Sequence, residues 1–243
     1  MKRWLTDLDR ILRGEATRLD ASQDEALPIP LGGLLLVILL LAAIYGACMG
    51  FFAGFREGGA CLMQWLAAVV KVPSLLFLTV AVTFPSLYVF NALVGSRLSF
   101  LAILRLLVAS LAVSVAVLAS LGPIVAFFSV STTSYPFMLL LNVLVFLVSG
   151  ILGLAFLRQT LNRWNIRATI ATPSETESRN DTLDRNVKKV FTCWMVAVML
   201  VGGQMAWVLR PLLGKPTEAF HWFSPRESNF LHAILEAFSN LFS

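Results

Sequence analysis

Five long runs of apolar residues, separated by shorter polar stretches, dominate the pattern along this chain. They cover residues 31–52, 72–93, 100–121, 137–157 and 190–209. A bilayer core of about 30 Å is crossed by roughly 20 apolar residues in a helix, so each run is long enough to span it. The pattern predicts an all-α fold, a polytopic membrane helix bundle with five transmembrane helices.

Two shorter stretches are expected to form amphipathic helices at the membrane interface. In the leader, residues 1–30, apolar and basic side chains fall on opposite helical faces: Leu5, Leu8, Ile11 and Leu12 against Arg3, Arg10 and Arg13. The segment 58–71 between the first two spans contains an apolar run over 61–70. That run is about ten residues long, which is too short to cross the bilayer. We therefore expect it to rest in the membrane interface.

Composition and charge place these helices in a membrane and orient them. The chain has 243 residues, of which 58% are hydrophobic and only 14% charged, more apolar surface than one water-facing core can hide. Basic residues are concentrated in the leader and in residues 158–189, whereas 127–136 contain none. Because Lys and Arg retain loops on the cytoplasmic side, we expect a cytoplasmic N-terminus and an exported C-terminus in a bacterial inner membrane. Since the net charge of +5 comes mainly from these connections, nucleic-acid binding is not expected.

The same pattern divides the chain into five regions. The leader, 1–30, is followed by 31–157 with transmembrane helices 1–4, and by 158–189, a basic and partly mobile cytoplasmic loop rich in Thr, Ser and Asn. The fifth transmembrane helix covers 190–211, and an exported tail covers 212–243.

Glycine recurs at every fourth position in the first span, at Gly46, Gly50 and Gly54. Residues four apart lie on one helical stripe, and a stripe without side chains lets another backbone come close. The row is therefore predicted to be a docking face, either for another helix of this chain or for a partner subunit.

A few neutral polar residues and one proline interrupt the apolar spans. Asn142, Gln204 and Thr83 could act as interhelical hydrogen-bond clamps or line a polar path, and we favour clamps. Pro85 falls in the middle of the second predicted span, where it removes one helix hydrogen bond. It is interpreted as a static kink, with a gating hinge as the alternative.

The chain offers little for catalysis. Membrane enzymes need ionisable or nucleophilic groups inside their spans, and here such groups are nearly absent. The sequence contains neither a Gly-rich phosphate loop nor a nucleophile elbow, and its three cysteines do not form a metal-site pattern. We therefore expect no catalytic residue, no metal and no cofactor.

The tail carries the signals of an amphipathic helix from about residue 225. Ser224 is a capping residue, Pro225 suits the first helical position, and Glu227 can reach back to the cap. The apolar face that follows consists of Phe230, Ile234, Leu235, Phe238 and Leu241. Such a face is expected to be buried on a protein partner, with the outer leaflet as the alternative.

Two stretches carry a family resemblance: "KVPSLLFLTVAVTFPSLYVFNALVGSRLS" in the second span, and "GGQMAWVLRPLLGKP" followed by "FSPRESNF" near the end. The chain resembles an uncharacterised family of bacterial multipass membrane proteins and, in span count and hydropathy, the five-span Yip family. The resemblance implies a multipass protein without known catalysis that acts through partners. The favoured function is a membrane subunit or scaffold that binds the bilayer and other membrane proteins or itself; a small pore or transporter comes second, and an intramembrane enzyme third.

Overall fold

The computed structural model describes residues 2–14, 31–54, 61–93, 100–132, 134–171 and 177–209, together with Ser239. The helices in these ranges are α1 (Lys2–Leu12), α2 (Leu31–Gly54), α3 (Cys61–Leu93), α4 (Phe100–Ser131), α5 (Tyr135–Ala171) and α6 (Glu177–Val208). The predicted all-α class is confirmed for this part of the chain.

Four of these helices are long and apolar enough to cross a membrane. Their apolar segments are Leu31–Phe52, Leu62–Val89, Phe100–Ser131 and Tyr135–Leu161. The fifth predicted span, 190–209, corresponds to a shorter apolar stretch, Thr192–Val208 of α6. A stretch of this length falls short of the roughly 20 residues that a bilayer requires, so the fifth span is not confirmed.

The segment 58–71 does not form the separate interfacial helix that its length predicts. Residues from Cys61 onward are the first turns of α3, which continues without a break to Leu93 and passes through Pro73 and Pro85. Lys71 lies within this continuous helix and is buried, with 3% of its surface exposed. The second candidate span therefore begins about ten residues earlier than the hydrophobic pattern places it.

The connection 158–189 also differs from the loop that its composition predicts. The helix α5 continues to Ala171, and α6 begins at Glu177. Residues 158–171 contain neither Gly nor Pro, and a helix already formed adds one backbone hydrogen bond for each further residue. Pro173, just beyond α5, restricts the residue before it and is suited to end the helix.

The main core lies between α2, α4 and α5. Its largest fully buried side chains include Tyr45 and Phe52 of α2, Leu118 of α4 and Met138 of α5. A second apolar cluster joins α6 to the bundle through Trp194, which packs with residues of α3, α4 and α5: Leu87, Ile103, Leu106, Leu107 and Leu157.

Candidate functional site

The glycine row of α2 lies against α3. A Cβ atom on Gly46 would lie 2.6 Å from the backbone oxygen of Ala68, and one on Gly50 would lie 2.9 Å from Cδ1 of Trp65. A side chain at Gly46 would require the helices to move apart, whereas one at Gly50 would first require the Trp65 side chain to shift. Gly54 is the last residue of α2, and its surroundings fall outside the described residues.

The close approach of α2 and α3 is accompanied by a hydrogen bond between the helices. The indole Nε1 of Trp65 donates to the backbone oxygen of Ala47 at 3.1 Å. Next to this bond, Ala67 and Ala68 are completely buried. Close packing and polar contacts of this kind hold membrane helices together, because lipid provides no hydrophobic force between them.

A buried polar pair joins α2 to α5. The hydroxyl of Tyr45 donates to Oδ1 of Asn142 at 2.9 Å, and Nδ2 of Asn142 donates to the backbone oxygen of Met138 at 2.8 Å. Tyr45 also packs edge-on against Phe146, with ring centroids 5.5 Å apart. Since its amide oxygen and nitrogen are both engaged within the bundle, Asn142 has the geometry of a clamp.

Breaking this pair should destabilise the bundle. In a double-mutant cycle of Tyr45→Phe and Asn142→Leu, we expect a coupling free energy of about 0.6–1.7 kcal/mol, which extends from the average to the largest value measured for interhelical hydrogen bonds in a membrane protein. The measurement is reversible unfolding in mixed micelles. Tyr88→Phe is the control. Because Tyr88 is exposed, removal of its hydroxyl should change the free energy of unfolding very little. Additive effects of the two core substitutions would show that the pair is not a clamp.

Two polar side chains of the segment 58–71, which was expected to rest in the membrane interface, are buried in α3. Gln64 and Lys71 are 6% and 3% exposed, and they lie two helical turns apart on one side of the helix. Lys71 lies about 13 Å along the helix from Leu62, the start of the candidate span. In the sequence, Lys71 is a single basic residue between two apolar runs. By hydropathy alone, such a residue marks the boundary of a membrane span.

Thr83 and Pro85 lie in the half of α3 that contacts α6. The hydroxyl of Thr83 donates to the backbone oxygen of Thr79 at 2.8 Å, and Pro85 is exposed. One residue on, Oγ of Ser86 donates to the backbone oxygen of Thr83 at 2.7 Å and accepts a 2.9 Å hydrogen bond from Nε1 of Trp194 in α6. Ser86, rather than Thr83, therefore makes the clamp between these two helices.

The outward side of α6 is a stripe of exposed side chains at four-residue spacing, which we call the α6 stripe: Thr192, Val196, Leu200, Gln204 and Val208. The opposite side packs on the bundle, where Met199 lies against Gly150 and Gly202 against Thr79. Within the described part of the chain, no hydrogen bond joins Gln204 to another residue. Asn142 is buried and bonded to Tyr45, whereas Gln204 is exposed on the outward side of α6.

The predicted tail face and the predicted absence of a metal site are the remaining expectations. The tail face, Phe230, Ile234, Leu235, Phe238 and Leu241, falls outside the described residues. Among the residues that are described, no three His, Cys, Asp or Glu side chains come together in a way that could hold a metal ion.

Comparison of the chain with models of protein families, with curated proteins and with solved structures gives no match.

Proposed function

We propose that the protein is a non-catalytic integral membrane subunit or scaffold that assembles with other membrane proteins through the α6 stripe. The supporting observation is the exposed amide of Gln204 on a helix that packs against the spanning bundle. Exposed apolar side chains suit lipid, but a primary amide carries two donors and an acceptor that lipid chains cannot satisfy.

The position of Gln204 along α6 also supports the proposal. Met199 contacts Gly150, which lies close to the midpoint of the Tyr135–Leu161 segment. Gln204 is five residues further along α6, a rise of about 7.5 Å, and the half-thickness of the hydrocarbon layer is about 15 Å. If the segment Tyr135–Leu161 crosses the bilayer, this rise puts the amide within the hydrocarbon layer, where a hydrogen-bonding partner stabilises it most.

The proposed partner is a transmembrane helix that presents a hydrogen-bonding side chain opposite Gln204 and small or apolar residues opposite Val196 and Leu200. Such a helix would bury the α6 stripe and satisfy the amide in one contact. Self-association through two Gln204 side chains is the alternative. The charge distribution supports a bacterial cytoplasmic membrane with the N-terminus inside.

Co-purification distinguishes the scaffold function from the other candidate functions. The protein extracted in mild detergent should carry another membrane protein at fixed stoichiometry, and the purified chain alone in liposomes should pass no ion or small solute. Solute flux through the isolated chain, without any stable complex, would contradict the proposal.

A small transporter is the second candidate, favoured by the burial of Lys71 and Gln64 in a helix that is long enough to cross the membrane. Polar and ionisable residues at such positions are expensive and often mark the route of a solute or ion. The cation would favour an anionic substrate.

The transporter hypothesis predicts that Lys71→Met abolishes the uptake of small anions into proteoliposomes, because methionine retains much of the apolar stem but removes the charge. Uptake should fall by at least tenfold, while the protein should still insert and elute as a single species. Lys71→Arg, which keeps the charge, is the matched control. Equal uptake by wild type and Lys71→Met would exclude Lys71 from a substrate route.

A further inference from the structure

The helix α1 is docked on the membrane bundle by one of its faces. Ile11 is fully buried and Leu8 is 7% exposed, and both belong to the main core. Trp4 lies against Gly33 in the first turn of α2, where an added Cβ would come within 2.5 Å of the indole Cδ1 atom. Because α2 is a candidate spanning helix that begins at Leu31, α1 sits at the level where that span starts.

Two leucines of α1 remain outside this contact. Leu5 and Leu12 are 52% and 49% exposed. They are seven residues apart and so lie on almost the same line of the helix, about 20° from each other. We call Leu5 and Leu12 the leucine pair. It lies between the docked face and the polar face, so it points neither into the bundle nor away from it.

The polar face of α1 is basic. Arg13 forms an exposed ion pair with Asp9, with Nε and Oδ2 2.9 Å apart. Arg10 is also exposed, and Gly14, two residues beyond the end of α1, has a φ of 71° that suits glycine just after a helix. The stretch 2–13 contains four basic and two acidic residues, a balance that favours anionic phosphate groups.

We propose that α1 is a lipid-contacting helix whose leucine pair inserts among the acyl chains of the leaflet where α2 begins, while Arg10 and Arg13 face the lipid phosphates. A lipid leaflet is the occupant that fits, because α2 exposes its own leucines, Leu36, Leu39 and Leu40, within two turns of the Trp4 contact. The acyl layer thus begins at the level at which the leucine pair is exposed. A helix with an apolar flank, a basic face and an interfacial tryptophan has the features of a membrane-surface helix.

Site-specific fluorescence in the full-length protein tests this placement. Leu5→Cys, Leu12→Cys and Arg10→Cys are made in a background where Cys48, Cys61 and Cys193 are alanine. Each is labelled with the polarity-sensitive dye NBD and reconstituted in phosphatidylcholine with about a third phosphatidylglycerol, a composition chosen to supply anionic phosphate.

The label at position 5 or 12 should be quenched several-fold more by lipids with a nitroxide on the upper acyl chain than the label at position 10. Iodide in the buffer should show the reverse order. Leu5 and Leu12 are exposed, so their replacement should leave the fold intact, and each protein's elution profile checks this. The proposal is overturned if iodide reaches positions 5, 10 and 12 equally, or if the nitroxide lipids quench all three equally.

Discussion

Replacing Gly46 with Leu should force α2 and α3 apart and lower the free energy of unfolding by about 1–3 kcal/mol, the usual cost of overpacking a close contact. The reason is geometric: even a Cβ atom at this position would lie 2.6 Å from the backbone oxygen of Ala68. Backbone cannot rotate away as a flexible side chain can, so the helices themselves must move. Unfolding in mixed micelles, followed by circular dichroism, measures the loss.

Gly32→Leu is the matched control. Gly32 lies in the same helix, but an added Cβ would meet nothing within 4 Å. There the substitution should be neutral or slightly stabilising, because leucine has a higher helix propensity than glycine. If Gly46→Leu and Gly32→Leu have the same effect on the free energy of unfolding, the contact between α2 and α3 does not depend on glycine.

Replacing Gln204 with Leu should weaken the complex with a partner helix by about 3- to 20-fold, which corresponds to the loss of one interhelical hydrogen bond in a membrane. The substitution keeps a side chain of similar size and removes only its polar atoms. Native mass spectrometry of the extracted complex should show a larger fraction of free chain, with unchanged thermal stability of that chain.

Ser120→Ala provides the comparison for Gln204. Ser120 is also an exposed polar residue of an apolar helix, but its hydroxyl donates to the backbone oxygen of Val117 at 2.8 Å, so it needs no external partner. Its replacement should leave the complex intact. Equal amounts of free chain for the wild type and both variants would rule out Gln204 as an assembly contact.

The apolar parts of the long helices could be predicted from the sequence, because they depend on local information. Apolar runs of membrane length indicated the helical class, and four of them are candidate spans in the structure. The spacing of Gly46 and Gly50 indicated a close contact, but spacing on one helix cannot identify the helix that meets it. That contact is with Ala68 and Trp65 of α3, a segment whose length had suggested a separate surface helix.

The polar features were harder to predict because burial depends on how helices face one another. Lys71 is a span boundary by hydropathy, yet it is buried in an unbroken helix. Asn142 and Gln204 look alike in sequence, as neutral amides in apolar runs. Asn142 is buried and bonded to Tyr45, whereas Gln204 faces outward. The difference between Asn142 as a clamp and Gln204 as a candidate assembly contact therefore comes from how α5 and α6 pack, which the sequence does not show.

Photo-crosslinking in intact membranes tests the central claim, that the α6 stripe binds another membrane protein. The photoreactive residue p-benzoylphenylalanine is introduced at Leu200 of the stripe and, as a control, at Leu39 of α2; these leucines are 58% and 49% exposed. We expect a defined protein adduct at position 200 that is reduced by Gln204→Leu, and no protein adduct at position 39. Lipid adducts alone at both positions would contradict it.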